Sequence, residues 1–146
     1  MNAQLISKLN KNLSNLQVLY VKLHNYHWNV KGMRFFQIHN LTEEYYEKLA
    51  GLYDEVAERI LQIGGKPFSS MSEYLENADI KEEARKEFGE EEILRNVLAD
   101  FELLLSEYKA ISDAADELGD KGTVALADEN IVNFEKSIWM LKANFA

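Results

Sequence analysis

The sequence predicts an all-α protein, a bundle of four long helices in which one long connection crosses from one end to the other. Apolar residues recur at spacings of three and four along four long segments, which is the period of one helix face. One proline and seven glycines leave few interruptions, and no segment alternates apolar and polar residues as a half-buried strand does. A chain of 146 residues buries roughly 68–70% of its unfolded surface, so residues 1–146 are predicted to form a single domain.

Glycines delimit the first two helices. The first covers residues 5–30 and ends at Gly32, and the second begins at Phe35 or Phe36 and ends at the breaker Gly64-Gly65-Lys66-Pro67. Their apolar stripes, which we expect to face the core, are Leu5, Leu9, Leu13, Leu16, Tyr20, Leu23, His27 and Val30, followed by Ile38, Leu41, Tyr45, Leu49, Leu52, Val56, Ile60 and Ile63.

The connection after the second helix is long enough to cross the bundle. Ser70-Met71-Ser72-Glu73 opens a short helix, SEYLENA, and the charged linker 79–87 is expected to be exposed to solvent. The third long helix begins after Gly89 and ends at Gly119, and the fourth has Thr123 as its predicted N-cap. Their inner faces are Ile93, Leu94, Val97, Leu98, Phe101, Leu104, Leu105, Tyr108, Ile111, Ala115 and Leu118, followed by Ala127, Ile131, Phe134, Ile138, Leu141 and Phe145.

Composition excludes several classes of function. The chain has no cysteine, so disulfides, thiolate metal sites and cysteine nucleophiles are excluded. Its apolar stretches are far shorter than the ~20 residues of a membrane helix. Its first residues lack the continuous apolar region of a signal peptide, so we expect a cytoplasmic protein with no membrane partner. A net charge of −9 and a pI near 4.8 disfavour direct binding to nucleic acid.

All three histidines lie within the first 39 residues, at His24, His27 and His39. A di-iron site inside one four-helix bundle takes a Glu-x-x-His pair from each of two helices. No later histidine can supply the second pair, so a site of that kind within one chain is disfavoured. His27 lies on the apolar stripe of the first helix, where a lone histidine is often an ordinary core residue, and the same interpretation applies to His24.

The second helix carries candidate ligands on a face turned away from its own core. Measured at about 100° per residue from the apolar stripe, this band lies between about 100° and 200°. It contains potential ligands together with small or apolar residues, namely His39, Glu43, Asp54, Glu58, Ala50, Ala57 and Leu61. Such a mixture is typical of a helix packed against another chain.

Two pairs in this band have the i,i+4 spacing that lets both side chains reach one point: His39 with Glu43, and Asp54 with Glu58. Imidazole with carboxylates suits iron, manganese or zinc. About 22 Å of helix separates His39 from Asp54, so the two pairs cannot hold one metal within a chain. Antiparallel two-fold packing against a second copy would bring the pairs opposite each other, which predicts shared sites. The alternative for an isolated Asp-x-x-x-Glu pair is a solvated acidic surface.

From Leu23 to Phe68 the sequence reads LHNYHWNVKGMRFFQIHNLTEEYYEKLAGLYDEVAERILQIGGKPF, and near its end it reads IWMLKANF. These segments resemble the Dps mini-ferritins, the starvation-induced relatives of ferritin. A histidine precedes Trp28, a second follows twelve positions later, and Asp-x-x-x-Glu-Arg precedes Gly-Gly. The resemblance covers nearly the whole chain. It implies a ferritin-like four-helix bundle with a short helix between helices 2 and 3, assembled into a hollow dodecamer that oxidises iron between two-fold-related subunits.

The same resemblance implies a set of ligands. The ferroxidase ligands of the family correspond to His27 and His39 of one subunit and to Asp54 and Glu58 of its partner. Glu43 stands where the family often has aspartate, and it keeps a carboxylate there as a further metal ligand. Iron would then be held at a di-iron or mono-iron site between subunits.

The resemblance also concerns residues outside the ligand set. His24 is not one of the shared ligands and would lie beside them. The acidic pore of the family lies at the turn into the last helix. Asp120 fits that pore, whereas Lys121 and Ala125 stand where other members often have acids.

The leading functional interpretation is a ferroxidase and iron store. The site would bind Fe(II), pass its electrons to hydrogen peroxide, the common oxidant of the family, or to oxygen, and deposit Fe(III) as mineral inside the shell. Imidazoles and carboxylates suit this chemistry because oxygen ligands stabilise the harder Fe(III) product. Consuming Fe(II) and peroxide together would protect the cell from hydroxyl radicals.

Two other functions stay open. The family name suggests DNA condensation, but an acidic chain repels phosphate, and near the N-terminus only Lys8 and Lys11 are available. Magnesium bridges, or a basic surface that symmetry assembles from these lysines with Lys81 and Lys86, would be needed. The third function is a helical scaffold that binds no metal, and it would leave the carboxylates of the second helix unpaired at an interface.

Overall fold

The computed structural model describes residues 2–146. Over that range the chain forms five helices and two short strands, in the order α1 (Ala3–Asn29), β1 (Val30–Lys31), α2 (Phe35–Gln62), α3 (Met71–Asn77), β2 (Phe88–Gly89), α4 (Glu90–Glu117) and α5 (Lys121–Ala143). The long helices α1, α2, α4 and α5 form the bundle, and α3 lies in the crossover between α2 and α4. The predicted all-α bundle with a short crossover helix is confirmed.

The predicted apolar stripes form one core between the long helices. α1 packs against α2, α3 and α4, and α5 packs against α4. Because three helices cover α1, its residues 12–16 are all buried, polar ones included. A fully buried leucine contributes roughly 1.5–3 kcal/mol, and the largest series of such residues lies on α1: Leu5, Leu9, Leu13, Leu16, Leu19 and Leu23. None of the helices within residues 2–146 has the length and apolar character of a membrane crossing.

The two strands join the α1–α2 turn to the end of the crossover, where Val30–Lys31 pairs in parallel with Phe88–Gly89. The Glu90 carboxylate accepts a hydrogen bond from the backbone nitrogen of Arg34 at 2.6 Å. Gly32, at φ +149°, lies so close to this carboxylate that a Cβ atom would overlap it, so the turn requires glycine. Two-residue strands are too short to produce an alternating pattern, and the sequence did not predict them.

A buried asparagine holds the crossover to α1. Asn15 Oδ1 accepts hydrogen bonds from the backbone nitrogens of Asp79 at 2.8 Å and Ile80 at 2.9 Å. Most of the linker 79–87 is exposed, as predicted, but the Ile80 side chain is buried. Ser70 begins α3 as its N-cap, because its side chain accepts a hydrogen bond from the backbone nitrogen of Glu73.

The predicted start of the last helix is wrong by about one turn. The N-cap of α5 is Asp120, whose side chain accepts from the backbone nitrogen of Thr123 at 3.1 Å. Thr123 is a buried residue of the first turn, and its hydroxyl donates to the Asp120 carboxylate at 2.6 Å. Both residues are good N-caps, and the ion pair between Arg59 and Asp120 favours the earlier one. Leu118, predicted to face the core, is 42% exposed because it follows the end of α4.

Candidate metal centre

The α1–α2 hairpin brings two of the predicted ligands into contact. His27 lies in the last turn of α1, and His39 lies near the start of α2. Their imidazole rings stack with centroids 3.6 Å apart and planes inclined by 15°. The ring of Phe35 also stacks on His39, at 5.1 Å. Two neighbouring helices of the chain therefore position the pair.

Each of these histidines donates a hydrogen bond to the backbone of the other. His27 Nδ1 lies 2.6 Å from the His39 carbonyl oxygen, and His39 Nδ1 lies 2.7 Å from the His27 carbonyl oxygen. A carbonyl oxygen can only accept, so Nδ1 carries the proton in both rings. In a neutral imidazole Nε2 then keeps its lone pair and can bind a metal. We call this reciprocal pair the histidine clamp.

The clamp also completes the end of α1. The last carbonyl groups of a helix have no intrahelical donor, and the His27 carbonyl is one of them. His39 Nδ1–H supplies the donor. The His39 carbonyl lies inside α2, and its second lone pair accepts from His27. The hairpin's own groups therefore hold both imidazoles in one orientation.

Glu43 lies one turn after His39 and adds a carboxylate beside the clamp. Its Oε1 is 3.8 Å from His27 Nε2. The side chain of Glu43 is 48% exposed and that of His27 only 7%. The carboxylate thus stands between the lone pair of a buried imidazole and the outside of the chain. Two imidazoles and one carboxylate therefore lie near one another, but within one chain they are not arranged to hold a metal ion by themselves.

The structure does not bring Asp54 and Glu58 to the clamp. Both lie farther along α2, are exposed, and take no part in the ion pairs among residues 2–146. Along the helix, about 22 Å separates Asp54 from His39. Within the described part of the chain, no three His, Asp or Glu side chains are arranged to hold a metal ion. Asp54 and Glu58, the second half of the predicted site, therefore lie on the same helix as His39 but cannot reach a metal bound at the clamp of their own chain.

Large apolar side chains are exposed on the same two helices. Trp28 is 67% exposed, Phe36 78% and Leu61 59%. Trp28 directly follows His27, and Leu61 lies three residues after Glu58, so these side chains border the two groups of candidate ligands. Exposed apolar area of this kind is typical of a protein interface, and carboxylates enclosed there would need a cation to neutralise them.

His24 lies beside the clamp without joining it. Its Nδ1 is 2.9 Å from the Tyr20 carbonyl oxygen of the same helix, and its ring stacks on Tyr46 at 3.8 Å. Tyr46 in turn meets the ring of His27 edge-on at 5.3 Å. Desolvation raises the pKa of the Tyr46 phenol, and neighbouring carboxylates raise it further, so the phenol stays neutral. His24 and Tyr46 thus pack the clamp from one side.

Thr42 is a contact of the clamp that the sequence analysis missed. It is 1% exposed, and its hydroxyl oxygen lies 3.3 Å from His27 Nδ1. The available signal was its position, four residues after Ile38 on the apolar stripe of α2, where a hydroxyl is unexpected. A buried polar residue on a core stripe needs a hydrogen-bond partner, and here the partner is a candidate ligand.

Asp120, which the resemblance places near a pore, is engaged within the chain. Arg59 Nη2 donates to its Oδ1 at 2.6 Å, and Thr123 donates to both of its oxygens. Burial opposes the ionised carboxylate, but the hydrogen bonds from Thr123 and Arg59 outweigh burial and lower the pKa of Asp120. Lys121 and Ala125 are exposed. The Asp120 carboxylate therefore caps α5 and anchors α2.

Glu107 is a half-buried titratable residue at the contact between α1 and α4. Glu107 accepts hydrogen bonds from the side-chain amides of Asn12 at 3.1 Å and Asn15 at 2.8 Å. Burial raises the pKa of Glu107 to about 7, although both amide hydrogen bonds act to lower it. Asn12 Oδ1 and the Tyr108 hydroxyl are buried without a partner in the described chain. We call these four residues the interior polar cluster.

Comparison with known proteins gives a consistent result. Residues 6–146 match the family model of the ferritin-like domain. A protein of Helicobacter pylori named "DNA protection during starvation protein" is 44% identical over 129 residues, which is 88% of this chain and 90% of that protein.

Solved structures of similar chains superpose closely. The crystal structure of Helicobacter cinaedi CAIP has a TM-score of 0.96 and 43% identity, covering 97% of this chain and 99% of that one. A Vibrio cholerae Dps protein, described as a member of a broad superfamily of ferritin-like diiron-carboxylate proteins, has a TM-score of 0.94 and 38% identity, covering 98% of this chain and 89% of that one. The likeness extends over essentially the whole bundle, the hairpin that carries the clamp included.

Proposed function

The chain belongs to the Dps family of ferritin-like proteins, and we propose that it forms a hollow dodecamer that oxidises Fe(II) and stores Fe(III) as mineral. The proposed substrates are Fe(II) and hydrogen peroxide, with oxygen as a slower oxidant. The proposed place of action is the cytoplasm. By consuming Fe(II) together with peroxide, the shell would protect the cell from oxidative damage.

The histidine clamp is the observation that carries this proposal. Reciprocal hydrogen bonds at 2.6 and 2.7 Å hold His27 and His39 with both Nε2 lone pairs available. Glu43 stands 3.8 Å from one of these nitrogens. Preorganised imidazoles next to a carboxylate match the ligands that iron takes in proteins.

Sharing between two subunits completes the site. Asp54 and Glu58 are exposed and unpaired on the helix that carries His39, but they are out of its reach in the same chain. Two-fold antiparallel packing of α2 against its copy places the acids of one subunit opposite the clamp of the other, twice. The proposed ligands are His27, His39 and Glu43 of one subunit with Asp54 and Glu58 of its partner.

The chemistry follows from the ligand types. Two Fe(II) ions give up one electron each, the O–O bond of one peroxide breaks, and two protons complete two water molecules. The carboxylates stabilise the harder Fe(III) product, and the imidazoles, which are softer, favour Fe(II). The chain's own residues bind and orient the iron, and the exposed side of the site admits the oxidant.

Binding to DNA is the second candidate function, and the name of the Helicobacter pylori relative favours it. The charge of this chain opposes it, since the net charge is −9 per subunit. Lys8 and Lys11 are held on α1, and Lys11 pairs with Asp79 at 3.3 Å. We propose that DNA is bound weakly or not at all, unless divalent cations bridge carboxylates and phosphates.

An iron titration tests the proposal. Purified protein would be titrated with Fe(II) without air, then given oxygen or peroxide in separate samples while absorbance reports Fe(III). Light scattering on the same samples measures the size of the assembly. We expect a dodecamer that binds Fe(II) stoichiometrically and oxidises it faster with peroxide than with oxygen. A dodecamer that neither binds nor oxidises iron would refute the proposal.

A further inference from the structure

Thr42 touches both halves of the histidine clamp. Its Oγ1 lies 2.8 Å from the Ile38 carbonyl oxygen, 3.0 Å from the His39 carbonyl oxygen and 3.3 Å from His27 Nδ1. The side chain is 1% exposed, so no water competes for these contacts. No other hydroxyl within the described residues forms a hydrogen bond with either clamp imidazole.

The donors and acceptors at Thr42 can be assigned. A hydroxyl has one proton, and its nearest acceptor is the Ile38 carbonyl oxygen at 2.8 Å, because the α2 backbone and His27 already occupy the lone pairs of the His39 carbonyl. The lone pairs of Oγ1 are then directed to donors, and His27 Nδ1–H is the donor nearby. His27 Nδ1–H therefore has two acceptors, the His39 carbonyl and the Thr42 hydroxyl.

We propose that Thr42 is a positioning residue for His27: its hydroxyl holds the tautomer with the proton on Nδ1 and so presents Nε2 to Fe(II). This inference rests on the proposed function. Thr42 itself does not touch the metal. It acts through the orientation and the protonated nitrogen of a ligand, which outer hydrogen-bond partners commonly control at metal sites.

The alternative tautomer explains why this matters. With the proton on Nε2, His27 would have no lone pair to offer at that nitrogen. Its unprotonated Nδ1 would then face the His39 carbonyl oxygen and a Thr42 hydroxyl whose proton already bonds to the Ile38 carbonyl. Two lone pairs facing each other in a buried site are unfavourable. Removing the hydroxyl weakens the preference of His27 for the tautomer protonated at Nδ1, because the His39 carbonyl is then the one acceptor for Nδ1–H.

A hydrophobic residue of the same shape does not replace Thr42. A valine methyl group in the place of Oγ1 would lie within about 3 Å of two carbonyl oxygens, closer than a carbon atom packs. A hydroxyl that bonds to the carbonyl four residues earlier also tends to bend the helix. At residue 42 a hydroxyl therefore fits where a methyl group does not, and its oxygen also lies within reach of His27 Nδ1–H.

Four proteins test the inference. Thr42→Ala removes the hydroxyl, and Thr42→Ser keeps it without the methyl. Ser14→Ala is the matched control, because Ser14 is a buried hydroxyl on α1 that bonds to the Asn10 carbonyl at 2.8 Å. His27→Ala identifies the signals of His27 and serves as the reference for loss of a ligand.

The first measurement uses metal-free protein labelled with ¹⁵N at its three histidines. Solid-state NMR at pH about 8.5, well above the ordinary pKa of histidine, distinguishes protonated from unprotonated ring nitrogens. We expect His27 to be protonated at Nδ1 in wild type, Thr42→Ser and Ser14→Ala. In Thr42→Ala we expect a second population protonated at Nε2. An unchanged His27 spectrum in Thr42→Ala, or the same change in Thr42→Ser, would overturn the inference.

The second measurement is the anaerobic affinity for Fe(II). Thr42→Ala should weaken binding about 10-fold, at the lower end of the effect of an outer hydrogen-bond partner, and Thr42→Ser should restore it. If His27→Ala binds Fe(II) as tightly as wild type, the proposed function fails. If His27→Ala loses binding and Thr42→Ala does not, only the role of Thr42 is refuted.

Discussion

The interior polar cluster and the outer face of α2 both carry acids, but they use them in opposite ways. Inside the bundle, Glu107 accepts from two asparagine amides, and Asn15 in turn holds the crossover through Asp79 and Ile80. On the outer face, Asp54 and Glu58 are exposed and have no partner within the described chain that neutralises them.

The difference separates structural acids from candidate ligands. The half-buried carboxylate of Glu107 already accepts hydrogen bonds and has little left to offer a metal, and its burial favours the neutral form. Exposed carboxylates next to exposed apolar side chains stay available to a partner. The two regions thus differ in whether their carboxylates already have partners within the chain, more than in residue type or spacing.

The largest expected effect is the loss of Fe(II) oxidation when a candidate ligand of the clamp is removed. His27→Ala removes an imidazole whose Nε2 no other residue can replace, so Fe(II) oxidation should fall by more than about 100-fold, beyond the loss typical of an outer partner. Stopped-flow absorbance with peroxide measures the rate. His24→Ala is the control and should lower the rate by less than about 10-fold, since His24 bonds to the Tyr20 carbonyl instead. Equal oxidation rates in wild type and His27→Ala would show that the clamp is not part of the oxidation site.

Asp120→Ala tests an engaged acid at the end of α5. The substitution removes an N-cap and leaves Arg59 without its partner, so the protein should lose about 2 kcal/mol of unfolding free energy. Denaturant unfolding at fixed protein concentration measures it. Asp120→Asn keeps the cap and should lose less. The oxidation rate should be unchanged in both, and a large fall in rate with intact stability would instead give Asp120 a role in iron entry.

Glu107→Gln tests how the acid of the interior polar cluster affects stability. The folded state raises the pKa of Glu107 to about 7, so it keeps a proton that the unfolded chain loses above the ordinary value near 4.5. The contribution of Glu107 to the free energy of unfolding is fully present below about pH 4.5 and is lost as the pH rises to about 7. Glutamine cannot ionise, so at pH 8 the variant should be more stable than wild type by about 1–2 kcal/mol, after allowance for partial exposure.

Thermal unfolding of both proteins from pH 4.5 to pH 8 checks this prediction. The difference between them should vanish at the acidic end and grow through the window from about 4.5 to about 7. A variant that is destabilised equally at every pH would mean that the ionised form of Glu107 is needed by the amides around it.

The smallest expected effect is on DNA. In buffer with chelator at physiological salt, purified assemblies should not retard duplex DNA in a gel, because the chain is acidic and Lys11 is paired. We expect magnesium to restore weak binding by bridging carboxylates and phosphates, and chelator to reverse it. Tight retardation in chelator would point to a basic surface that includes Lys8, Lys81 or Lys86, and DNA condensation would then become the main function.

The sequence predicted the helices well because long helices have a strong period. Apolar spacing located all four long helices, and Gly32 and the Gly64-Gly65 pair ended two of them. Local competition explains the errors. Asp120 and Thr123 can both cap a helix, and the choice depends on Arg59, which is 61 residues away from Asp120. Strands of two residues have no period to detect.

The candidate site was predictable in composition and less so in detail. Spacing and resemblance identified His27, His39 and Glu43, and the structure brings these three together. The clamp itself was not predictable, since it depends on how the hairpin aligns two carbonyl groups. Thr42 and Glu107 were missed for one reason: a sequence does not reveal which polar residues the packing will bury.

Subunit mixing tests the central claim, that each site is shared, most directly. His39→Ala and Asp54→Ala subunits, each inactive alone, would be dissociated, mixed in equal amounts and reassembled, with native mass spectrometry to verify hybrids. Random pairing makes half of the two-fold pairs mixed, and each mixed pair has one intact site of two. If the sites are shared, the mixture should recover about a quarter of the wild-type oxidation rate. Verified hybrids that stay as inactive as their parents would contradict shared sites.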